Sequence, residues 1–424
     1  MKNSTAAKLK QVPVNYLGVG IDPHKKKHAG MVMQQDAVIR RKFKFANSRI
    51  GFEEMLRLVE LEREKAGAGG VIFGIESGTH HWKALAYFLD QRGYEFRLLN
   101  PFTLKRNREG DDINRRKNDY RDAEAAAELL RTGKFVNSRL LYGNYAEIRA
   151  TYNAYDRLNV ERSRNKNQLK GLLDQVFPEF TSIFKDICGK TAMAVLQSCA
   201  IPQYMINMSR NEFIARVRKT FVGRALLVKK LTSLYEAARS SVGITAGAIG
   251  MAEEMALIVS RLKLNIEQTN RVIKRLRILV DAIPESSYVL SIRGLSYITV
   301  AAIWAGLGPA SNYTNAKQWV KMAGTNPTEK ESAGKSSSLT PMSKHGRSSL
   351  RGGLWSAAVS VLCHNDDFKV WAKERQERPA NANPLHRREV IGAVINRLLH
   401  LIYALITKRH IYSPNPPSMA TVAA

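Results

Sequence analysis

The chain is poor in cysteine, and the three it has, Cys188, Cys199 and Cys363, fit neither a Cys-x-x-Cys pair nor a disulfide framework. They read as buried, reduced thiols of a cytoplasmic protein. No His-Glu-x-x-His zinc pattern occurs. "AGKSSS" imitates a phosphate-binding loop, but the glycine required five residues earlier is Glu329, so that reading fails. The first residues, "MKNSTAAKLKQV", lack the apolar segment of a signal peptide. The longest apolar run, residues 297–308, falls short of the roughly 20 residues that span a bilayer, so no membrane role is expected. Acidic residues are also scarce: 37 against 66 Lys and Arg, a formal charge of +29. That excess favours a polyanion as partner, because each phosphate neutralised releases a condensed counterion. With 44% apolar residues the chain of 424 has enough material for packed cores, at a length that suggests two to four domains.

What is present falls into four parts. Residues 1–145 alternate strand and helix. "YLGVGID", "HAGMVMQ" and "AVIRRKFKFA" read as an antiparallel meander. An amphipathic helix follows, with Phe52, Met55, Leu56, Val59 and Leu61 on or near one face. "VIFGIES" is a buried strand, "HHWKALAYFLDQRG" a helix closed by Gly93, and "YEFRLLN" a strand. A basic loop, "KRNREGDDINRRK", then precedes the helix "DYRDAEAAAELLRTG". The order β-β-β-α-β-α-β-α implies a mixed sheet flanked by helices. Residues 146–286 read as helical. Met255, Val259, Leu262, Ile266, Thr269, Ile273, Leu276 and Val280 alternate steps of four and three, a coiled-coil seam whose partner lies within the chain or in a dimer. Residues 287–412 form a helical C-terminal domain interrupted by a Gly/Ser-rich loop. Residues 413–424 are expected to be a disordered tail.

Four carboxylates stand at ends of elements: Asp22 and Glu76 close strands, and Asp119 and Asp122 open a helix, three residues apart on one face. A turn explains Asp22 beside Pro23, and the helix dipole alone explains Asp119 and Asp122. Taken together in a strongly basic chain, the four favour a divalent metal site, since converging carboxylates repel unless a cation lies between them. Lys25, Lys26 and Lys27 follow Asp22 and suit a phosphate or a solvated turn. Arg115 and Arg116, with "KRNR" before them, suit a nucleic-acid backbone. So do Lys344, His345, Arg347 and Arg351.

The motifs "GIDPHK", "GIESGTHHW" and "NDYRDAEAAAEL", in that order, resemble the three motifs of the Asp-Glu-Asp-Asp (DEDD) transposases of bacterial insertion sequences, relatives of the pilin-inversion invertase. "NQLKGLLDQVFPEF", "SIRGLSYITVAAIWAGLG", "AGTNP" and "MSKHGRSSLRGGL" resemble that family's later segments in sequence. The resemblance implies a ribonuclease-H-like (RuvC-like) N-terminal domain, a coiled-coil middle and a mostly helical transposase domain. It implies that Asp22, Glu76, Asp119 and Asp122 hold Mg2+, two ions, with Mn2+ as the alternative. It implies a serine nucleophile at Ser332, where the family's Ser-Gly is here Ser-Ala-Gly, with Ser336, Ser337 and Ser338 as alternatives. Donor and target DNA, a structured guide RNA and a homo-oligomer, dimer or tetramer, are the implied partners. The competing classes are a metal-dependent nuclease without the serine step, a non-catalytic nucleic-acid-binding protein, and a sugar-kinase-like ATPase of related topology.

Overall fold

A computed structural model describes residues 8–111, 118–135, 140–328, 331–332, 335–336, 341–379 and 384–414. The chain divides into two compact units, 1–140 and 141–424.

The first unit is built on a five-stranded sheet of order β3-β2-β1-β4-β5: β1 (Tyr16–Asp22), β2 (Lys27–Met33), β3 (Ile39–Ala46), β4 (Gly70–Glu76) and β5 (Glu95–Leu99). β1 pairs antiparallel with β2 and parallel with β4; β4 pairs parallel with β5. Alternation along the strands sorts the side chains onto two faces. Leu17, Val19 and Ile21 of β1 and Val71, Phe73 and Ile75 of β4 pack with helices α1 (Arg49–Lys65) and α2 (Trp82–Gln91). Gly18, Gly20 and Asp22 therefore share the opposite face with Ile72, Gly74 and Glu76.

That second face is covered by α4 (Asp119–Arg131), preceded by α3 (Pro101–Asp111). Ala123 and Ala127 of α4 pack on Ala29, Met31 and Met33 of β2, while Ala126, Leu129 and Leu130 pack with Ile72 and Leu99. The run of alanines lets the helix lie directly on the sheet. A Cβ added at Gly20 would lie 2.0 Å from the Ala123 carbonyl oxygen and 2.4 Å from the Ala127 nitrogen. Both obstacles are backbone, so no side-chain rotation relieves the clash. Gly20→Ala is expected to lower stability by about 1–3 kcal/mol and to displace the N-terminal turn of α4. Chemical denaturation and near-ultraviolet dichroism would register both effects.

Two expectations for this unit are corrected. Of the stretch read as a basic loop, 105–117, residues 105–111 belong to the helix Pro101–Asp111, and 112–117 lie outside the described residues. Asn100 accepts a hydrogen bond from the Phe102 N–H at 2.9 Å, and Pro101 begins the helix with no amide to satisfy. Leu61 is 45% exposed. The buried position beside it belongs to Glu62, which Arg40, Arg41 and Lys65 surround at 3.4–3.6 Å.

Among the described residues the second unit is helical except for a short hairpin, β6 (Glu331–Ser332) with β7 (Lys335–Ser336). Its axis is a pair of 34-residue helices, α5 (Gly143–Val176) and α11 (Ala248–Asp281). The coiled-coil seam thus finds its partner within the chain. The pair is antiparallel: Asn144 donates to the Ala282 carbonyl, Asn265 to that of Leu158, and Gln168 to the Glu254 carboxylate. Five shorter helices, α6 (Glu179–Ile183), α7 (Lys190–Ser198), α8 (Pro202–Ile206), α9 (Arg210–Thr220) and α10 (Val228–Arg239), cap one end. There Leu169, Leu173, Met255 and Leu262 join Phe180, Val195, Phe213 and Leu231 in one core.

At the other end Ile148, Tyr152, Leu276 and Val280 join a second core made by α12 (Ser286–Leu290), α13 (Tyr297–Leu307), α14 (Ala316–Ala323), α15 (Ser348–His364), α16 (Asp366–Gln376) and α17 (Arg387–Lys408). α16 escaped the sequence reading. α17 is long and apolar enough to cross a bilayer, yet half of that apolar window is buried, with Val394, Leu398 and Ile402 inside this core.

Candidate metal centre

The face that β1 and β4 share with α4 ends in carboxylates. β1 and β4 run in register up to Ile21 opposite Ile75, so the next residues, Asp22 and Glu76, lie side by side. Each follows a Gly-Ile pair, and each Gly sits under α4 at close range: a Cβ at Gly74 would come within 3.2 Å of the Ala126 carbonyl oxygen. The Asn118 side chain caps α4 by accepting from the Tyr120 N–H at 3.1 Å, which starts the helix with Asp119 and Asp122 in its first turn. Asp122 is buried and aimed into the same space as Asp22 and Glu76. The three line a cavity of about 510 Å³ with His24, Lys25, Thr79, His81 and Lys105 among its other walls.

Asp119 sits at the rim. Its carboxylate accepts from the Lys44 ammonium at 2.8 Å, which holds its pKa below the usual aspartate value. One of its oxygens, one of Asp22 and a His24 nitrogen lie within 4.8 Å of one another. Asp22 thus belongs to both groupings, and all four predicted acids gather about it.

The electrostatics follow from this crowding. Asp22 is only 6% exposed. Its pKa is pushed up to about 7, first by burial and then by the charges of Glu76 and Asp122 and a hydrogen bond with Glu76, with His24 opposing the rise. Hard carboxylate oxygens held together against their own repulsion are the donor set that a divalent cation neutralises, so the residues present fit the ion.

The chain after Asp22 turns sharply on a residue that the sequence reading missed. His28, fully buried between Phe45 and Phe52, accepts the His24 N–H on Nδ1 at 3.0 Å. Burial lowers its pKa to about 4, so it stays neutral and keeps that lone pair available. The Asp-Pro-His-Lys-Lys-Lys stretch is therefore a turn and a site wall at once.

The predicted nucleic-acid residues separate into groups. Lys25 and Lys26 are exposed on this turn, and Lys25 lines the cavity. Arg115 and Arg116 lie outside the described residues. Lys344 and His345 are exposed in the second unit. Arg347 is instead held by protein: its guanidinium donates to the Gly306 and Ala305 carbonyls at 2.8 and 3.4 Å, closing the C-terminus of α13. Arg351 donates to the Ala323 carbonyl at 3.2 Å, at the end of α14.

Ser332 lies in β6, its backbone paired with Lys335; its side chain, Ser337 and Ser338 fall outside the description. The base of this hairpin is knitted by main-chain bonds from Thr328 to Pro341, Ser343 to Asn326, and Arg347 to Met322. Asn326 and Ser343 also join side chain to side chain at 2.7 Å.

Residues 19–178 match the DEDD, IS110-type family model described as "Transposase". Residues 286–371 match the model described as "Transposase IS116/IS110/IS902 family". Together the two cover more than half of the chain. A relative, the transposase for insertion sequence element IS1111A of Coxiella burnetii, is 22% identical over 354 residues, 81% of this chain and 79% of its own length.

Proposed function

We propose, for a chain that belongs to the IS110-type insertion-sequence transposases, that DNA strand cleavage is carried out at the carboxylate cavity with divalent metal and a serine nucleophile. The observation that carries this reading is the convergence of Asp22, Glu76 and Asp122 on one cavity, with Asp119 beside Asp22. The strand order and senses of the first unit fit a ribonuclease-H-like scaffold, where strand-end carboxylates hold Mg2+ or Mn2+.

When bound, such an ion supplies positive charge to a phosphodiester and lowers the cost of charge developing on it. The residues of the chain do the rest. Asp22 and Glu76, the last residues of β1 and β4, would hold the ion. Asp122 closes the cavity from the helix side, and the burial of Asp22 and Asp122 limits competing water. Lys25 and Lys105, on the cavity wall, take the flanking phosphates.

Ser332 attacks phosphorus; a P–O bond to the serine forms as one to the sugar breaks, which keeps the ester energy for rejoining. The net charge of +29 suits both DNA and a structured guide RNA, and two protomers or four hold the two duplexes.

The test is recombination of donor and target duplexes by purified protein with its co-purifying RNA. EDTA is expected to abolish strand exchange, and Mg2+ or Mn2+ to restore it. Undiminished exchange in excess chelator would refute the metal-dependent reading. Loss of exchange on ribonuclease treatment is expected if RNA guides the reaction.

A further inference from the structure

The turn after Asp22 carries a ligand of a different kind from the four acids. His24 is half exposed, and its Nδ1 stands 3.6 Å from the Asp22 Oδ2. A His24 nitrogen, an Asp22 oxygen and an Asp119 oxygen lie within 4.8 Å of one another. Ligands about 2.1 Å from a common ion are at most about 4.2 Å apart, so small side-chain rotations bring the three onto one centre.

Two further observations bear on a cation at this corner. The Lys44 ammonium, 2.8 Å from Asp119, now balances that carboxylate, and an ion bound there would displace it. The main chain of His24 is anchored to buried His28, which fixes the stem of the ring while its nitrogens stay accessible.

Ligand chemistry then discriminates between ions. Mg2+ takes hard oxygen donors and keeps its own waters. Imidazole nitrogen suits later first-row ions, and Mn2+ accepts nitrogen and oxygen together.

We propose that His24 is a metal ligand: with Asp22 and Asp119 it forms a mixed nitrogen–oxygen position that selects Mn2+ over Mg2+, leaving Asp22, Glu76 and Asp122 to form an all-oxygen position beside it. This rests on the metal-dependent reading above and adds to it the identity of one ion.

The experiment uses the full chain with Mn2+ as the probe. Pulsed electron paramagnetic resonance reads nitrogen coupled directly to the ion, and calorimetry reads affinity. Wild type is expected to show one directly coordinated nitrogen. His24→Ala is expected to lose it, to bind Mn2+ about tenfold or more weakly, and to change its Mg2+ affinity less than about threefold. Because the side chain is half exposed, the variant's melting temperature in EDTA should match wild type.

Mn2+ bound to wild type without nitrogen coupling would overturn the proposal while leaving the acidic metal centre standing. So would coupling that persists in His24→Ala, which would move the nitrogen to His81 on the cavity wall. Mn2+ binding that is unchanged in Asp22→Asn would bring down the acidic metal centre itself, and His24 with it.

Discussion

Asp22→Asn will reduce strand exchange by about a thousandfold or more and will at the same time stabilise the metal-free protein at neutral pH. The activity loss follows from geometry. Asp22 belongs to both carboxylate groupings, so its removal weakens each position for an ion at once. About 4 kcal/mol of lost charge stabilisation is enough for a thousandfold.

The gain in stability follows from the raised pKa. In the unfolded chain the carboxyl ionises at an ordinary value, 3.8, and in the folded chain only near 7. Between those values the folded state binds more protons than the unfolded state, so its stability is full below about pH 4 and declines as pH rises towards 7. The loss is at most on the order of 4 kcal/mol, with the proton shared among neighbouring acids. An amide in place of the carboxylate removes the term. Melting temperatures between pH 4 and 8 in EDTA should fall for wild type relative to the variant, because buried His28 adds the same rise up to about pH 6.5 to both curves and only wild type carries the opposing Asp22 term. Added Mn2+ should raise only wild type. A wild-type curve that rises through the same window in parallel with the variant would rule out a strained buried carboxyl at this position.

Ser332→Ala will eliminate covalent protein–DNA product from stalled reactions and bring strand exchange to background, with DNA binding within about twofold of wild type. A hydroxyl carries no charge, so its loss leaves the phosphate contacts, and hence affinity, intact. Without a covalent link the cleaved ends have no stored ester bond from which to rejoin. The readout is a denaturing gel of end-labelled DNA, with protease digestion collapsing the retarded band. Ser336→Ala is the companion variant: a covalent product lost there and retained in Ser332→Ala would transfer the nucleophile. Full cleavage by both would favour a metal-dependent nuclease that uses water.

Much of the acidic centre was legible from the sequence because its placement is a matter of period. Strand alternation puts an acid and the glycine two before it on one face, and the chain repeats that device as Gly-Ile-Asp at 20–22 and Gly-Ile-Glu at 74–76. Read as a pair, these glycines would also have announced the close approach of α4. His28 was less legible, since a histidine next to three lysines looks solvated; its burial depends on Phe45 and Phe52 from other elements.

α3 was hidden because it offers the eye almost no apolar period, although Asn100 before Pro101 was a readable start. Leu61 misled for the opposite reason. An apolar residue was assigned inward when the turn of the helix gives that place to Glu62, and the cations of β3, with Lys65 of the same helix, make a buried glutamate tolerable. Arg347 shows what charge alone leaves unread: a helix C-terminus with open carbonyls holds a guanidinium as a phosphate does.

The end of the long helical pair has a consequence for how such chains vary in length. The Ile244 N–H bonds the Gln175 carbonyl at 3.0 Å, and Gly243 lies against the Val176 backbone, where a Cβ would meet the carbonyl oxygen at 2.0 Å. The whole cap from 177 to 243 therefore leaves and re-enters through a single doorway. Its ends are already joined in space, so exchanging it for a tight bend or a larger lobe changes loop-closure entropy only slightly. The core built on Trp304 and Leu398 keeps both of its contributing helix ends. Size differences among relatives have a natural place to accumulate here, at a distance from Trp304 measured along two rods of 34 residues each.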